Sequence, residues 1–320
     1  MEMLEYEYKY WNKGIKYIAG VDEAGRGPLA GPVVASCVIL NPDFNIKGIN
    51  DSKKLTPKKR FLLSELIKKN AVDVSIGIAN EKEIDQLNIL QATFLAMKRA
   101  VGNLKIPPQR LLIDGPHSNI KLIPVNNIIK GDSKSLSIAA ASIIAKVERD
   151  RIMCEYNKIY SEYAFDKHKG YGTKLHVAAL KEFKATPIHR KSFKIVKSHL
   201  PNFNFYKERN SFDRLGCRLV AINFIKRNYV LDEKKLLLDN GEIIDFSYVK
   251  KDKRVFVKII VEYNIITSKQ NIDVEVFFNS IKDKIKEKES KKKNWFNVIL
   301  VTFMPKNKPK IISIYNEEVS

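Results

Sequence analysis

Two adjacent carboxylates, Asp22 and Glu23, end a short apolar run that starts at Tyr17, and Gly25-Arg26-Gly27 and then Gly31-Pro32 follow within ten residues. Acids at the end of a buried strand are costly to desolvate unless a positive charge sits between them, and a hard divalent cation is the usual answer. Glycine lets backbone N–H groups approach a ligand that a side chain would hold off. An acidic pair beside a glycine-flanked arginine therefore suits a phosphodiester held against metal ions. For the acidic pair alone, a strand ending in a solvated turn is the plainer reading, and the glycines weigh against it. Two further acids repeat the arrangement: Asp114 follows Leu111-Leu112-Ile113 and precedes Gly115-Pro116, and Asp132 follows Ile128-Ile129-Lys130-Gly131. Open α/β sheets place ligands at such strand ends. Four carboxylates with no clustered His or Cys favour Mg²⁺ or Mn²⁺ over zinc. A pair of such ions suits in-line hydrolysis of a phosphodiester.

The elements that must position these acids read as alternating strands and helices. Tyr17 onward and Val33 to Leu40 are apolar enough for buried strands. Asp51 to Leu55 is a polar loop, and Thr56 is an N-cap with Pro57 at the first helical position. Phe61, Leu62, Leu63, Leu66 and Ile67 give that helix an apolar stripe. Alternation of Val72, Val74, Ile76 and Ile78 predicts a strand with one buried face. A helical region is expected from about Glu81 to Leu104, ended by Pro107-Pro108. Leu111 to Ile113 is a short buried strand delivering Asp114. A long helix is expected from about Ser137 to Tyr160, with Ala139-Ala140-Ala141-Ser142 packing closely on a sheet and Lys146, Arg149 and Arg151 marking a basic, solvated face. Lys167 to Thr173 is a basic loop with Tyr171 between two glycines. The ring is either a packing residue or a flat surface for a sugar or base. A helix around His176 to Ala185 and a basic turn from Pro187 to Phe193 complete this part.

At 320 residues the chain is long enough for two domains, and its net charge of +21 with 44% hydrophobic residues describes a foldable protein that attracts polyanions. Nucleic acid is the default partner. No apolar run reaches membrane-spanning length, and Glu2, Glu5 and Glu7 argue against a signal peptide, so a cytoplasmic protein is expected. Cys37, Cys154 and Cys217 are odd in number and far apart, which suggests neither a disulfide framework nor a thiolate zinc site.

From about Tyr17 to Phe193 the chain resembles the type 2 ribonucleases H, the ribonuclease HII family. The matching stretches are Gly20 to Pro32, Asp51-Ser52-Lys53-Lys54-Leu55, Ile113-Asp114-Gly115, Ser137 to Arg151, Gly170-Tyr171-Gly172-Thr173 and His189-Arg190-Lys191-Ser192-Phe193. The resemblance implies a ribonuclease H-like mixed sheet flanked by helices. It implies a hydrolase that cuts the RNA strand of RNA–DNA hybrids, or duplex DNA at an embedded ribonucleotide, using two metal ions and leaving 5′-phosphates. It places the acidic tetrad on Asp22, Glu23, Asp114 and Asp132, the acids already selected by their strand-end positions. Gly25, Arg26 and Gly27 are implied to contact the scissile phosphate and the ribose 2′-hydroxyl, Lys53 to bind substrate, and Tyr171 to stack under the following sugar. A monomer is expected.

Residues 205–320 are additional to that family's usual length and are expected to form a second, smaller α/β domain after a catalytic domain at 1–204. From residue 206 on there are 24 Lys and Arg against 16 Asp and Glu, a net charge of +8. Leu215 to Tyr229 reads as an amphipathic helix, Val255 to Tyr263 and Asn297 to Phe303 as buried strands, and Ile281 to Lys293 as a lysine-rich helix. This half is more weakly similar to the YraN-like family of the restriction-endonuclease fold. Nucleases of that fold need an Asp followed by Glu-x-Lys on the next strand. Here Asp245 is displaced by one residue and Lys258-Ile259-Ile260 stands in the second place, so a non-catalytic accessory domain is expected over a second nuclease using Asp245 with Glu242 or Glu262. The alternative for the whole chain is a polynucleotide-binding protein or repair scaffold without cleavage.

Overall fold

Five strands, β1 (Ile18–Ala24), β2 (Val33–Ile39), β3 (Asp73–Ala79), β4 (Arg110–Asp114) and β5 (Val125–Ile128), form one sheet in the order β3-β2-β1-β4-β5. β1 pairs antiparallel with β2 and parallel with β4, and β5 continues the parallel side. In the computed structural model, the residues described are 3–44, 46, 48–49, 55–121, 123–237, 243–263, 278–279, 293–303 and 308–319. The helices are α1 (Glu5–Trp11), α2 (Pro57–Asn70), α3 (Glu81–Leu87), α4 (Ile89–Gly102), α5 (Leu136–Ile159), α6 (Phe165–His168), α7 (Lys174–Phe183), α8 (Lys194–Lys197), α9 (Phe203–Glu208) and α10 (Phe212–Lys226). The chain divides into two compact units, Met1–Cys154 with Tyr163–Leu200, and Glu155–Glu162 with Pro201–Ser320.

In the first unit both faces of the sheet are covered, which is why β2 is apolar without alternation. Val33, Ala35, Cys37 and Ile39 face α4, while Val38 and Leu40 join α2 and α5. Helix α5 lies so close to β1 that a Cβ on Gly20 would sit 2.1 Å from the Ser137 carbonyl carbon. Buried Glu7 of α1 holds the start of α5, accepting from the Ser137 N–H at 3.0 Å and from the Ser135 and Ser137 hydroxyls at 2.6 Å each. A carboxylate at a helix N-terminus meets the unpaired N–H groups and the positive end of the dipole. Gly20→Ala is therefore expected to destabilise by about 3 kcal/mol, because backbone cannot yield as a side-chain tip can; urea unfolding measures it.

Three expectations need correction. The helix expected from Glu81 to Leu104 is two helices, because Asn88 adopts φ +72° and caps α4 by accepting from Leu90 and Gln91 N–H. On α2 the Thr56 cap and Pro57 stand where expected, but Phe61, Leu62 and Leu66 are exposed and only Leu63 and Ile67 enter the core, beside buried Arg60 and Ser64. Strand β3 is packed on both sides, not one: Gly77 lies against α4, where a Cβ would be 2.1 Å from the Ala96 oxygen, while Val74 and Ile76 pack against the α2–α5 cluster. The polar loop expected at Asp51 to Leu55 lies outside the described residues except for Leu55.

The second unit is built on β6 (Val230–Leu237), β7 (Ile243–Lys250), β8 (Lys253–Tyr263), β9 (Lys293–Phe303) and β10 (Lys310–Val319), ordered β10-β9-β8-β7-β6. Only β8 and β9 run parallel. Helix α10 packs on β8 through Gly216, where a Cβ would lie 2.6 Å from Val261 Cγ2, and Phe224 stacks on Tyr248 with centroids 4.6 Å apart. The lysine-rich helix expected from Ile281 to Lys293 lies outside the described residues, apart from Lys293, which opens β9. Glu242 also lies outside them.

Candidate active site

The parallel strands β1 and β4 pair Val21 with Ile113, so the next residue of each, Asp22 and Asp114, emerges at the same level of the sheet. The neighbouring pair Asp114 and Ile128 brings the end of β5 to that level too, and a one-turn helix, Gly131–Ser133, follows. The Gly131 N–H donates to Asp114 Oδ1 at 2.7 Å, which fixes the turn that carries buried Asp132. Three strand ends thus deliver the four acids to one edge of one sheet.

Asp22 is 5% exposed. Burial above all, then the nearby charges of Glu23 and Asp114, holds its carboxyl well above the usual carboxylate range; the Ser142 hydroxyl of α5 and the Glu23 N–H, at 2.7 Å, oppose that shift. Burial also raises Glu23, whose partner Arg26 works the other way from 3.3 Å while Asp114 adds to the rise. These acids pay a desolvation and repulsion cost that a bound cation would remove. The donor set is oxygen only, as Mg²⁺ and Mn²⁺ require. As placed, no three acidic, His or Cys side chains among the described residues converge on one point. Three of the acids are instead turned to a local donor: Asp22 to Glu23 N–H, Glu23 to Arg26, Asp114 to Gly131 N–H. The chemistry of the residues fits a divalent ion, and rotation of these carboxylates is what closing on it would take.

The glycine turn is held from below by two arginines, Arg149 of the expected basic helix face and Arg190 of the expected basic turn. Arg149, expected on a solvated face, is 1% exposed and donates to the carbonyls of Pro32 (3.0 Å), Lys169 (3.1 Å) and Ala30 (3.2 Å). Arg190 is fully buried and donates to Gly31 (2.9 Å), Arg26 (2.8 Å), Gly25 (2.5 Å) and Pro32 (3.3 Å). A rigid fork of five donors suits several carbonyls at once in a way lysine cannot. Gly25 stands at φ +99°, and a Cβ there would lie 2.0 Å from Arg149 Nε, so the turn and the arginine require glycine together.

Tyr171 is 44% exposed, and its ring is the nearest group to Gly27, 3.6 Å from where a Cβ would be. The two loops are joined by the Leu29 N–H donating to Gly170 O at 2.8 Å. Beneath them lie three buried histidines. Thr186 N–H donates to His189 Nδ1 at 3.0 Å, so the His189 proton sits on Nε2 and points at His176 Nε2, 3.0 Å away; the His176 proton then sits on Nδ1 and reaches the Tyr171 carbonyl at 3.0 Å. Burial pushes His176 down to about 4 and His189 well below its ordinary value, which keeps this chain neutral and singly ordered. Lys53 lies outside the described residues. Ser142, Arg149, Arg190 and the histidines were not singled out as site residues from sequence. The signal for the arginines was the choice of Arg inside a lysine-rich chain.

A mixed sheet with acids at the ends of its central strands and a glycine turn beside them defines a nuclease of the ribonuclease H class. A ribonuclease H2 crystal structure from Pyrococcus horikoshii OT3 superposes with a TM-score of 0.50 at 30% identity, covering 57% of this chain and 96% of that one. The sequence model of the Ribonuclease HII family matches residues 19–196, and the chain belongs to that family. It is 56% identical over 188 residues to the ribonuclease HII of Clostridioides difficile (59% of this chain, 74% of that protein). With that of Endomicrobium trichonymphae it shares 53% over 196 residues (61% and 93%). The protein is accordingly a ribonuclease H, an endonuclease that hydrolyses the RNA of RNA–DNA hybrids, and its activity depends on a divalent metal. No helix among the described residues is long and apolar enough to cross a membrane.

Proposed function

We propose that residues 1–204 form the catalytic domain and that Asp22, Glu23, Asp114 and Asp132 hold two divalent ions, Mg²⁺ or Mn²⁺, against the scissile phosphate, at hybrids and at single ribonucleotides in duplex DNA. The observation that carries this is the burial of Asp22 among carboxylates that raise its pKa, a cost with no return unless a cation is taken up. Such ions, when bound, lower the pKa of a water and stabilise the departing oxygen. The chain's own residues do the rest. The glycine turn, fixed by Arg149 and Arg190, offers the backbone of Gly25 and Gly27 to the 2′-hydroxyl, the one group by which RNA differs from DNA. Arg26, half exposed and paired with Glu23, would be free to reach the phosphate if Glu23 held a metal ion. Lys53 is assigned to the substrate backbone. In-line attack by water on phosphorus with departure of the 3′-oxygen leaves a 5′-phosphate and a 3′-hydroxyl.

Tyr171 supports the neighbouring sugar. Its exposure and its place against Gly27 favour this over a packing role. Tyr171→Ala is expected to reduce cleavage at a lone ribonucleotide by about 10- to 100-fold, as loss of one stacking contact of 1–3 kcal/mol implies, with duplex binding nearly unchanged. An equal fall in both would return Tyr171 to packing. The whole reading is tested on duplex DNA holding one ribonucleotide, with Mg²⁺ and with Mn²⁺. Binding without cleavage in either metal would refute it.

Residues 205–320 are assigned as a non-catalytic accessory domain of YraN-like type that grips nucleic acid. Asp245 Oδ2 accepts from the Ile259 N–H at 2.7 Å, and Lys258, whose Nζ donates to Ile243 O at 2.8 Å, brings its own positive charge near that carboxylate. A cation already fixed beside Asp245 opposes a second one. The protein is assigned to the cytoplasm as a monomer.

A further inference from the structure

Three strands of the second unit place lysines directly opposite one another. Lys250, the last residue of β7, pairs with Lys253, the first of β8, and Lys253 pairs in turn with Lys293, the first of β9. Paired residues point to the same face, so the three side chains form one row across about 10 Å of sheet at the usual strand spacing. Like charges facing each other across strands destabilise a sheet. No acid divides the row. Asp232 of β6 is taken by Arg254 at 2.9 Å, and Asp252, in the turn between β7 and β8, offers its carbonyl to Lys293 N–H at 2.8 Å. Among the described residues none of the three lysines makes an ion pair.

Local duties account for part of the row. Lys250 Nζ donates to Arg227 O at 2.7 Å, capping the C-terminal end of α10, and lies 5.2 Å from the Tyr229 centroid. Lys253 Nζ sits 3.6 Å above the ring of Trp295. One cation is enough for a helix end, and an indole face does not need a second lysine beside the first. The same end of the unit also carries exposed Arg227, at the α10 cap, and exposed Lys251, in the turn. The carboxylates facing this end are Asp252 and, across from Trp295 on β10, Glu318. A concentrated cationic edge with two aromatic rings beneath its lysines matches a polyanion whose charges repeat every few ångströms and whose sugars and bases offer flat faces.

We propose that the Lys250–Lys253–Lys293 row, with Arg227 and Lys251, is the surface by which the second unit holds the phosphate backbone of duplex nucleic acid, independently of sequence. The proposal rests on the accessory-grip reading above and gives it an address. Phosphates between the lysines relieve the repulsion that the free row carries. Binding through it loses affinity with salt in proportion to the phosphates neutralised.

The test uses the full-length protein without divalent metal and a plain DNA duplex, with affinity measured across a range of salt. Lys253→Gln with Lys293→Gln spares the cap made by Lys250. The matched control, Lys235→Gln with Lys310→Gln, removes the same charge from exposed positions on β6 and β10. The row variant is expected to flatten the log–log salt slope by about 2 and to weaken binding roughly tenfold near 0.1 M salt, with the control close to wild type. Its melting temperature is expected to hold or rise, since like-charge repulsion is removed; a fall would mark the lysines as structural and overturn the proposal. Lys253→Arg with Lys293→Arg is expected to keep the slope. Equal losses in row and control variants would spread the grip over the unit and overturn the row alone. No loss in either would overturn the row and the accessory-grip reading together. Loss of binding to anionic phospholipid vesicles with duplex binding intact would assign the row to membranes and refute the proposal.

Discussion

Asp22→Asn is expected to lower cleavage of a ribonucleotide-containing duplex by about 10²- to 10⁴-fold, as loss of several kcal/mol of metal-borne stabilisation implies, and at the same time to raise the metal-free melting temperature. The amide keeps the acceptor for Glu23 N–H, so the local geometry survives. What it removes is a carboxylate whose folded pKa is raised by burial and then by Glu23 and Asp114. The sign follows. Below the ordinary carboxylate pKa of 3.8 both folded and unfolded chains are protonated there, and nothing is lost. As pH rises above it the unfolded chain ionises first, so stability falls until the folded pKa is passed, where the penalty is complete. Asp22→Asn should flatten that fall. Saturating Mg²⁺ should stabilise the wild type by roughly 2.7 kcal/mol at a hundred times its dissociation constant and the variant far less, which calorimetry over pH 5 to 8 reads. Asp114→Asn is expected to behave alike in activity. Wild-type turnover in either variant at low Mg²⁺ would remove these acids from the metal site.

Arg190→Met is expected to cost at least about 3 kcal/mol of stability, and its effect on catalysis should exceed what lost folding explains. The guanidinium serves four carbonyls of one turn, at Gly25, Arg26, Gly31 and Pro32. Methionine fills the space but leaves buried acceptors unpaired, each costing on the order of 1–3 kcal/mol. Lysine keeps the charge yet cannot present a planar fork, so Arg190→Lys should recover only part of the stability. Urea unfolding gives the first number. The second comes from cleavage of a single-ribonucleotide duplex under conditions where the variant remains folded: kcat/KM should fall at least tenfold, because the Gly25–Gly27 backbone is no longer fixed for the 2′-hydroxyl. A variant as active as wild type when folded would make Arg190 a stabilising residue only.

By itself the sequence determined whatever lies close along the chain. Asp22 and Glu23 are adjacent, the glycines around Arg26 are within a turn of each other, and Thr56-Pro57 carries its helix start in two residues. The strand end at Asp114 and the turn at Asp132 were legible because apolar runs stop there, and a sheet must present its strand ends somewhere. Tertiary structure decided what depends on a partner element. Arg149 reads as solvated charge on a helix face and Arg190 as part of a basic turn until carbonyls from the Gly25–Pro32 turn and its neighbours surround them. Phe61, Leu62 and Leu66 look like core in a helical stripe, yet only Leu63 and Ile67 of that stripe face the sheet, because the direction of α2 is set by what it packs against. Gly77 and Ser75, unremarkable in sequence, let α4 reach the face of β3 that the alternation of Val and Ile seemed to leave open. The lysine row follows from register alone: residues 250, 253 and 293 become neighbours only when β7, β8 and β9 are laid side by side. Local chemistry is written in local sequence, whereas burial and cross-strand pairing are properties of two segments at once, and one segment's residues carry half of that information.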